Sequence, residues 1–298
     1  MTLPALYKYL DVDGAKLTLG NGTFRHAKPT TFQDLEDMTV QSVFPEDVET
    51  ALAEFSDGCV DIIVHNVDAA PTCSPKLAKT VKELQTILKA DPGSVETLKR
   101  QVKELGLFDI EQMRALADGF VKDTNEFLAQ YTILCVSTDK ACERMWEDYA
   151  QDHEGIVLRV EPSIEKGSEL TRFQPVTYHR SRPAIYDRTP DFMRDSLFAD
   201  QEARAKAILH KIIYAKTLPY KFESEYRLAV PSSKEGNWEA RPYHPEEITE
   251  LYIGLAMTDS NRADIVAKAG ANNRNIRVFR ADRDAQKKLI FRPGSAKT

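Results

Sequence analysis

Glu223, Glu225 and Arg227 stand two residues apart in the stretch YKFESEYRLAV, residues 220–230. Side chains alternate faces along an extended strand, so these three share one face. Phe222, Ser224, Tyr226, Leu228 and Val230 then fall on the other. A carboxylate beside a sugar ring stabilises the positive charge that builds when a glycosidic C–N or C–O bond breaks. On that reading Glu225 faces the sugar and Glu223 supports it, while Arg227 holds the carboxylates ionised or binds a phosphate. The same pattern also suits a solvated outer face whose charges pair across strands. Spacing alone leaves both readings open.

Three further groups invite the same question. Trp146 and Tyr149, with Met145, recur at helical spacing, which fits either a core stripe or a platform for a flat ring such as nicotinamide or a base. Ser137 and Thr138 end the preceding apolar run, where hydroxyls often meet ligands. Tyr7, Lys8 and Tyr9 form a tripeptide whose lysine suits a protected sheet edge or a phosphate or ribose contact, and Arg25 and His26 lie on the next candidate strand. Asp34, Glu36 and Asp37 read as a solvated loop whose spacing matches no calcium-binding loop. The histidines show no HxxxH or HExxH pairing, and none of the four cysteines forms a CxxC pair, so neither a metal site nor a disulfide framework is expected. Cys135, inside an apolar run, is expected to be a buried thiol. No Walker motif, GxGxxG or GxSxG occurs, which argues against a P-loop NTPase, a dinucleotide-binding dehydrogenase and an α/β-hydrolase.

These residues need elements to hold them. The 298 residues carry a net charge of −6, which argues against a broad nucleic-acid surface while leaving room for a local basic patch. No apolar run is long enough for a membrane helix and the start shows no signal-peptide pattern, so a cytoplasmic protein with no membrane partner is expected. Strands are read at ALYKYL, TFRHA, YTILCVS, GIVLRV, RFQPVTYH (interrupted by Pro175), the opening stretch, EITELYIG and NIRVFRA. Between residues 45 and 130 the period becomes helical, with Leu77, Val81, Leu84 and Leu88 as one stripe. A helix capped by Ser137 or Thr138 is expected over DKACERMWEDYAQDHEG and ended by Gly155, and one long helix over residues 190–215. The expectation is an α+β fold: a core from residues 1–44 and 131–293 around a mixed or antiparallel sheet, a helical insertion or subdomain over 45–130, and a flexible tail, 294–298.

Taken in order, LYKYL, TFRHAKPTTFQDLED, LCVSTDKACERMWEDYAQDHEGIVLRV, KFESEYRLAV and ITELYIGLAM resemble the bacterial family catalogued as domain of unknown function 2971. The matching positions are Tyr7, Lys8 and Tyr9; Phe32 and Asp34; Trp146, Tyr149, Ala150 and Gly155; and Glu223, Glu225, Tyr226 and Arg227. The chain departs at Gln33 and Leu35, where the family prefers Asn and Pro, and at Tyr226, where Trp is common. More distantly the order resembles an ADP-ribosyltransferase-like fold. That resemblance implies an enzyme, a toxin or phage-defence effector, which splits NAD as co-substrate at the nicotinamide–ribose bond. It would pass ADP-ribose to a protein or nucleic-acid acceptor or to water. Glu225 would hold the ribose 2′-hydroxyl and stabilise the oxocarbenium ion, and Glu223 would orient the acceptor. Ser137, Trp146 and Tyr149 would line the nicotinamide pocket, and Tyr7, Lys8, Tyr9, Arg25 and Arg227 would meet ribose or phosphates. The alternatives are a non-catalytic nucleotide- or nucleic-acid-binding protein, or a protein-interaction module built on the helical stretch.

Overall fold

The computed structural model describes residues 3–34, 36–104, 110–232 and 234–294, so most of the tail, 295–298, and Leu35 of the acidic loop lie outside the described residues. In chain order the elements are β1 (Leu6–Leu10), α1 (Val12–Asn21), β2 (Thr23–Ala27), α2 (Val48–His65), α3 (Pro75–Ala90), α4 (Val95–Glu104), α5 (Ile110–Leu128) and β3 (Tyr131–Ser137). There follow α6 (Glu143–Tyr149), β4 (Ile156–Val160), β5 (Gln174–Pro175), β6 (Thr177–His179), α7 (Thr189–Phe198), α8 (Gln201–Ile213) and β7 (Ala215–Thr217). The chain ends with β8 (Glu225–Pro231), β9 (Trp238–Pro242), β10 (Ile248–Ile253), α9 (Asp259–Asn272), β11 (Arg277–Arg283) and β12 (Leu289–Pro293). The fold is α+β.

Contacts gather the chain into two units, one from residues 1–37, 129–180 and 216–298, the other from 38–128 and 181–215. The first unit is built on a ten-stranded sheet, mostly antiparallel, in the order β12-β11-β10-β4-β1-β3-β2-β9, with β8 on β3 and β5 on β8. Strand β10 pairs parallel with β11 after the α9 crossover. Strand β3 is unusual in having one edge shared by two neighbours. It meets β1 only at Ser137–Tyr7 and β2 only at Ile133–Ala27, while its other edge pairs with β8 along its whole length. One face of the sheet, with Leu6, Leu134, Val136, Leu158, Leu228 and Leu251, packs on Val12, Ala15 and Leu19 of α1 and Ile265 and Ala269 of α9. The opposite face gathers Tyr7, Tyr9, Val157 and Tyr252 against Met145, Trp146 and Ala150 of α6 and Leu289 of β12.

The second unit carries the four helices expected from periodicity between residues 45 and 130, with Val60, Ile63, Val81, Leu88 and Leu98 as a buried cluster. It also recruits residues 181–215, which sequence pattern alone assigns to the sheet core. The reason is apolar: Phe192 of α7 packs among Phe44, Phe55 and Phe120, and Leu197 and Phe198 join the helical cluster. The long helix expected there is two, because Asp200 accepts the Ala203 N–H at 2.8 Å and starts a new helix.

Other differences are local. Helix α1 was not expected; Asp11 caps it by accepting the Gly14 N–H, and Gly22, left-handed at φ 64°, ends it. Helix α6 is shorter than expected and begins after Cys142, since Ser137 Oγ accepts instead from the Asp139 N–H at 3.0 Å. It ends at Tyr149, where Gln151, Asp152 and His153 all adopt positive φ. That left-handed turn lays the His153 ring parallel to Trp146 with centroids 5.6 Å apart. Gly155 lies beyond it, where a Cβ would stand 2.2 Å from the Leu10 carbonyl oxygen, so its place is dictated by close strand approach.

Candidate functional site

The stretch from Tyr220 to Val230 is not one strand. Leu218–Glu223 is a 3-10 turn, Ser224 is left-handed at φ 45°, and the strand starts at Glu225. Glu225 and Arg227 therefore share a strand face, while Glu223 arrives beside them from the end of the turn. Nor is the face wet, which corrects the solvated-face reading: Glu223 and Glu225 are 4% exposed and Arg227 is fully buried.

Buried charges demand partners, and the partners come from distant segments. Arg227 Nε donates to Glu225 Oε1 at 2.7 Å, and its terminal nitrogens donate to Asp37 Oδ1 at 3.1 Å and Oδ2 at 2.6 Å. Asp37, expected in a solvated loop, is thus a buried member of the site. Lys216 Nζ donates to both Glu223 and Glu225 and lies 3.7 Å from Asp37 Oδ2. The Tyr149 hydroxyl donates to Glu223 Oε1 at 2.8 Å, and the Tyr178 hydroxyl accepts the Glu225 N–H at 2.9 Å. The Lys216 ammonium also sits 4.8 Å from the centre of the Tyr220 ring.

The environments of the two glutamates push their ionisation apart. Burial opposes the charge of Glu225, but Arg227, Lys216 and the Cys135 thiol outweigh it and hold the carboxyl well below the ordinary carboxylate range. Glu223 is raised, by burial first and by the Glu225 charge second, against the pull of Lys216 and Tyr149. Burial disfavours the Lys216 ammonium, yet Glu225, Glu223 and Asp37 keep it charged far above its usual range. Burial and then Glu225 push the Tyr178 phenol up to about 12. The corner thus offers one firmly ionised carboxylate beside one that readily holds a proton.

Ser137 is buried directly across the β3–β8 ladder from Glu225, and on its other side it faces Tyr7. Tyr149, 36% exposed, is the rim of the corner. The remaining expected residues lie elsewhere or are consumed by packing. Trp146 is fully buried and its ring N–H donates to the Lys140 carbonyl at 2.8 Å, so it offers no face to a ligand ring. Tyr9 packs edge-on against Trp146 and donates to the Asp139 carbonyl at 2.7 Å, and Tyr7 packs on Tyr252. Lys8 points to the opposite sheet face, where its ammonium donates to the Cys135 carbonyl at 3.0 Å in the gap left by the divided β3 edge. Arg25 is exposed on β2 with its guanidinium 5.7 Å from the Trp238 ring centre, apart from the glutamates. Arg227, inside the carboxylate cluster, is a structural counter-ion with no surface for a phosphate. Cys135, expected as a buried thiol, is half-buried as a residue, and desolvation and then Glu225 push its thiol well up.

Sequence reasoning missed Lys216, Tyr178 and the role of Asp37. Asp37 was visible as a loop carboxylate, but nothing in a lone AKT tripeptide marks Lys216 as a counter-ion. Among the described residues, no group of His, Cys, Asp and Glu is arranged to hold a metal ion. No family model matches the chain, and no curated protein and no solved structure matches it. The resemblances drawn above accordingly rest on the sequence motifs alone.

Proposed function

We propose that the chain cleaves a ribosyl C–N bond, with NAD as the co-substrate and a protein, a nucleic acid or water as the acceptor. One observation carries the reading: adjacent glutamates bridged by Lys216, one held ionised and one raised. Two carboxyls whose environments separate their ionisation can divide the roles of charge stabiliser and proton carrier. As the C1′–N bond breaks, its electron pair leaves with nicotinamide and positive charge develops on the ribose. On this reading the Glu225 carboxylate stabilises that charge. The acceptor oxygen then bonds C1′ and gives its proton to Glu223, which Tyr149 orients.

Nicotinamide release from NAD, measured with and without cell lysate, tests this. Glu223→Gln and Tyr149→Phe are the informative variants, because Glu225→Gln disturbs the buried Arg227 as well. Loss of one general base costs about 10²–10⁴-fold in rate. Tyr149→Phe should cost less, about tenfold, since it removes one orienting hydrogen bond of roughly 1.4 kcal/mol. Release at the wild-type rate from a folded Glu223→Gln protein would remove this site from the chemistry.

A second reading has its own observation. Arg227 spends both faces of its guanidinium on Asp37 and Glu225, which suits a clasp fixing the loop before residue 38 to β8. A non-catalytic nucleotide- or nucleic-acid-binding protein would show that geometry too. It predicts no nicotinamide release under any condition.

A further inference from the structure

The charge of this chain is unevenly placed. Residues 274–294 hold seven cations, Arg274, Arg277, Arg280, Arg283, Lys287, Lys288 and Arg292, against Asp282 and Asp284, in a protein whose net charge is −6. They form the antiparallel β11–β12 ribbon and the turn into it, and β12 is the outermost strand of the sheet. Three of the cations are paired: Arg277 with Glu250, Arg283 with Glu143 and Arg292 with Asp282. Arg274, Arg280, Lys287 and Lys288 are exposed and make no side-chain hydrogen bond or ion pair among the described residues.

The ribbon's own carboxylate answers part of this charge, and one detail goes beyond it. Arg280 and Arg292 are direct cross-strand neighbours, both exposed, and Asp282, two residues from Arg280 and so on its strand face, pairs with Arg292. At the hairpin tip, Asp284 Oδ1 accepts the N–H groups of Gln286 and Lys288, and Lys287 is left-handed at φ 64°. That position follows a turn where glycine is favoured, so a lysine is held there against backbone preference. Edge protection by charge is the simpler account, but it does not ask for a lysine at a left-handed tip.

We infer that the β11–β12 ribbon is a docking surface for the phosphate backbone of nucleic acid. A two-stranded ribbon with exposed arginine and lysine along its length and at its tip suits a chain of phosphates, and a narrow basic strip suits a nucleic acid better than a broad lipid surface. The inference does not rest on NAD chemistry at Glu225; binding and turnover are read separately.

The test is fluorescence anisotropy of labelled single-stranded RNA and duplex DNA of about 20 nucleotides, titrated with the full chain from about 50 to 200 mM salt. Four unpaired cations on phosphates predict a slope of log affinity against log salt of about −3 to −4. The R280E/K287E/K288E variant should bind at least about tenfold more weakly, being stripped of three of those contacts. The K76E/K79E/K82E variant, with the same charge change on exposed α3, should bind as the wild type does. No binding at the lowest salt, equal loss in both variants, or binding to phosphatidylserine vesicles with none to nucleic acid would each overturn the inference.

Discussion

Arg227 is the residue on which the buried corner depends. It is fully buried and neutralises two carboxylates, Asp37 and Glu225, so its removal strands charge in a low-dielectric interior. Arg227→Met should destabilise the protein by about 3–5 kcal/mol in urea unfolding, the usual result of breaking one side of a buried pair. The glutamates give this corner a pH signature. Glu225 is depressed in the folded state from an unfolded value near 4.5, so its stabilisation is present above that value and is lost as the pH falls toward its folded pKa. Glu223 is raised, so it has the opposite sign and costs stability as the pH rises from about 4.5 through its folded value. Glu225→Gln should therefore flatten the acid limb of the stability curve while lowering stability at neutral pH. Glu223→Gln should remove the alkaline-side decline. Thermal unfolding between pH 3 and 8 would check both, the window being set by ordinary carboxylate values and the upward shift of Glu223.

At the scale of elements, the corner exists because short, irregular pieces deliver side chains that a regular strand would misplace. The 3-10 turn before β8 and the left-handed Ser224 rotate Glu223 onto the same side as Glu225. The truncated α6 points Tyr149 at Glu223, and its left-handed exit lets β4 begin against β1. That exit is tightly fitted: a Cβ on Gly155 would meet Leu10 O at 2.2 Å, and one on Gly254 would meet His153 O at 2.0 Å. Backbone atoms cannot swing aside as a flexible side chain can. Gly155→Ala and Gly254→Ala should each cost about 1–3 kcal/mol or more. If the strain pulls α6, nicotinamide release should fall along with the melting temperature.

At the scale of the molecule, the helical unit is assembled from two insertions into the sheet unit, one after β2 and one between β6 and β7. The second supplies α7 and α8, and within the helical unit Met193 is buried while Phe192 and Leu197 are half-buried against its apolar side chains. Excising residues 38–128 alone should leave those side chains exposed and give an aggregating protein on size exclusion. Excising 181–215 as well, with short Gly/Ser linkers, should restore a soluble species if the sheet unit folds alone. No helix among the described residues is long and apolar enough to cross a membrane. Charge is also divided at this scale, with the cationic ribbon on one sheet edge of an otherwise acidic chain.

The sequence by itself determined the local and periodic features. Helical spacing marked the helices between residues 45 and 130, apolar and alternating runs marked β1, β3, β4 and the later part of β8, and together they pointed to an α+β protein. It also marked Glu223, Glu225 and Tyr149 as chemistry-bearing, because two closely spaced carboxylates and an aromatic helical stripe are visible as residue types. What only tertiary structure decided is which charges neutralise one another. Asp37 and Tyr178 lie far from β8 in sequence and Lys216 lies on a separate short strand before the turn, and the packing that brings them together has no period to read. The same holds for Trp146, Lys8 and Arg25. Their residue types suit a ligand equally well, and burial, sheet face and the divided edge of β3 assign them to packing, to a backbone carbonyl and to the surface. Side-chain chemistry is local, but desolvation and Coulomb pairing depend on distances that only the folded chain sets.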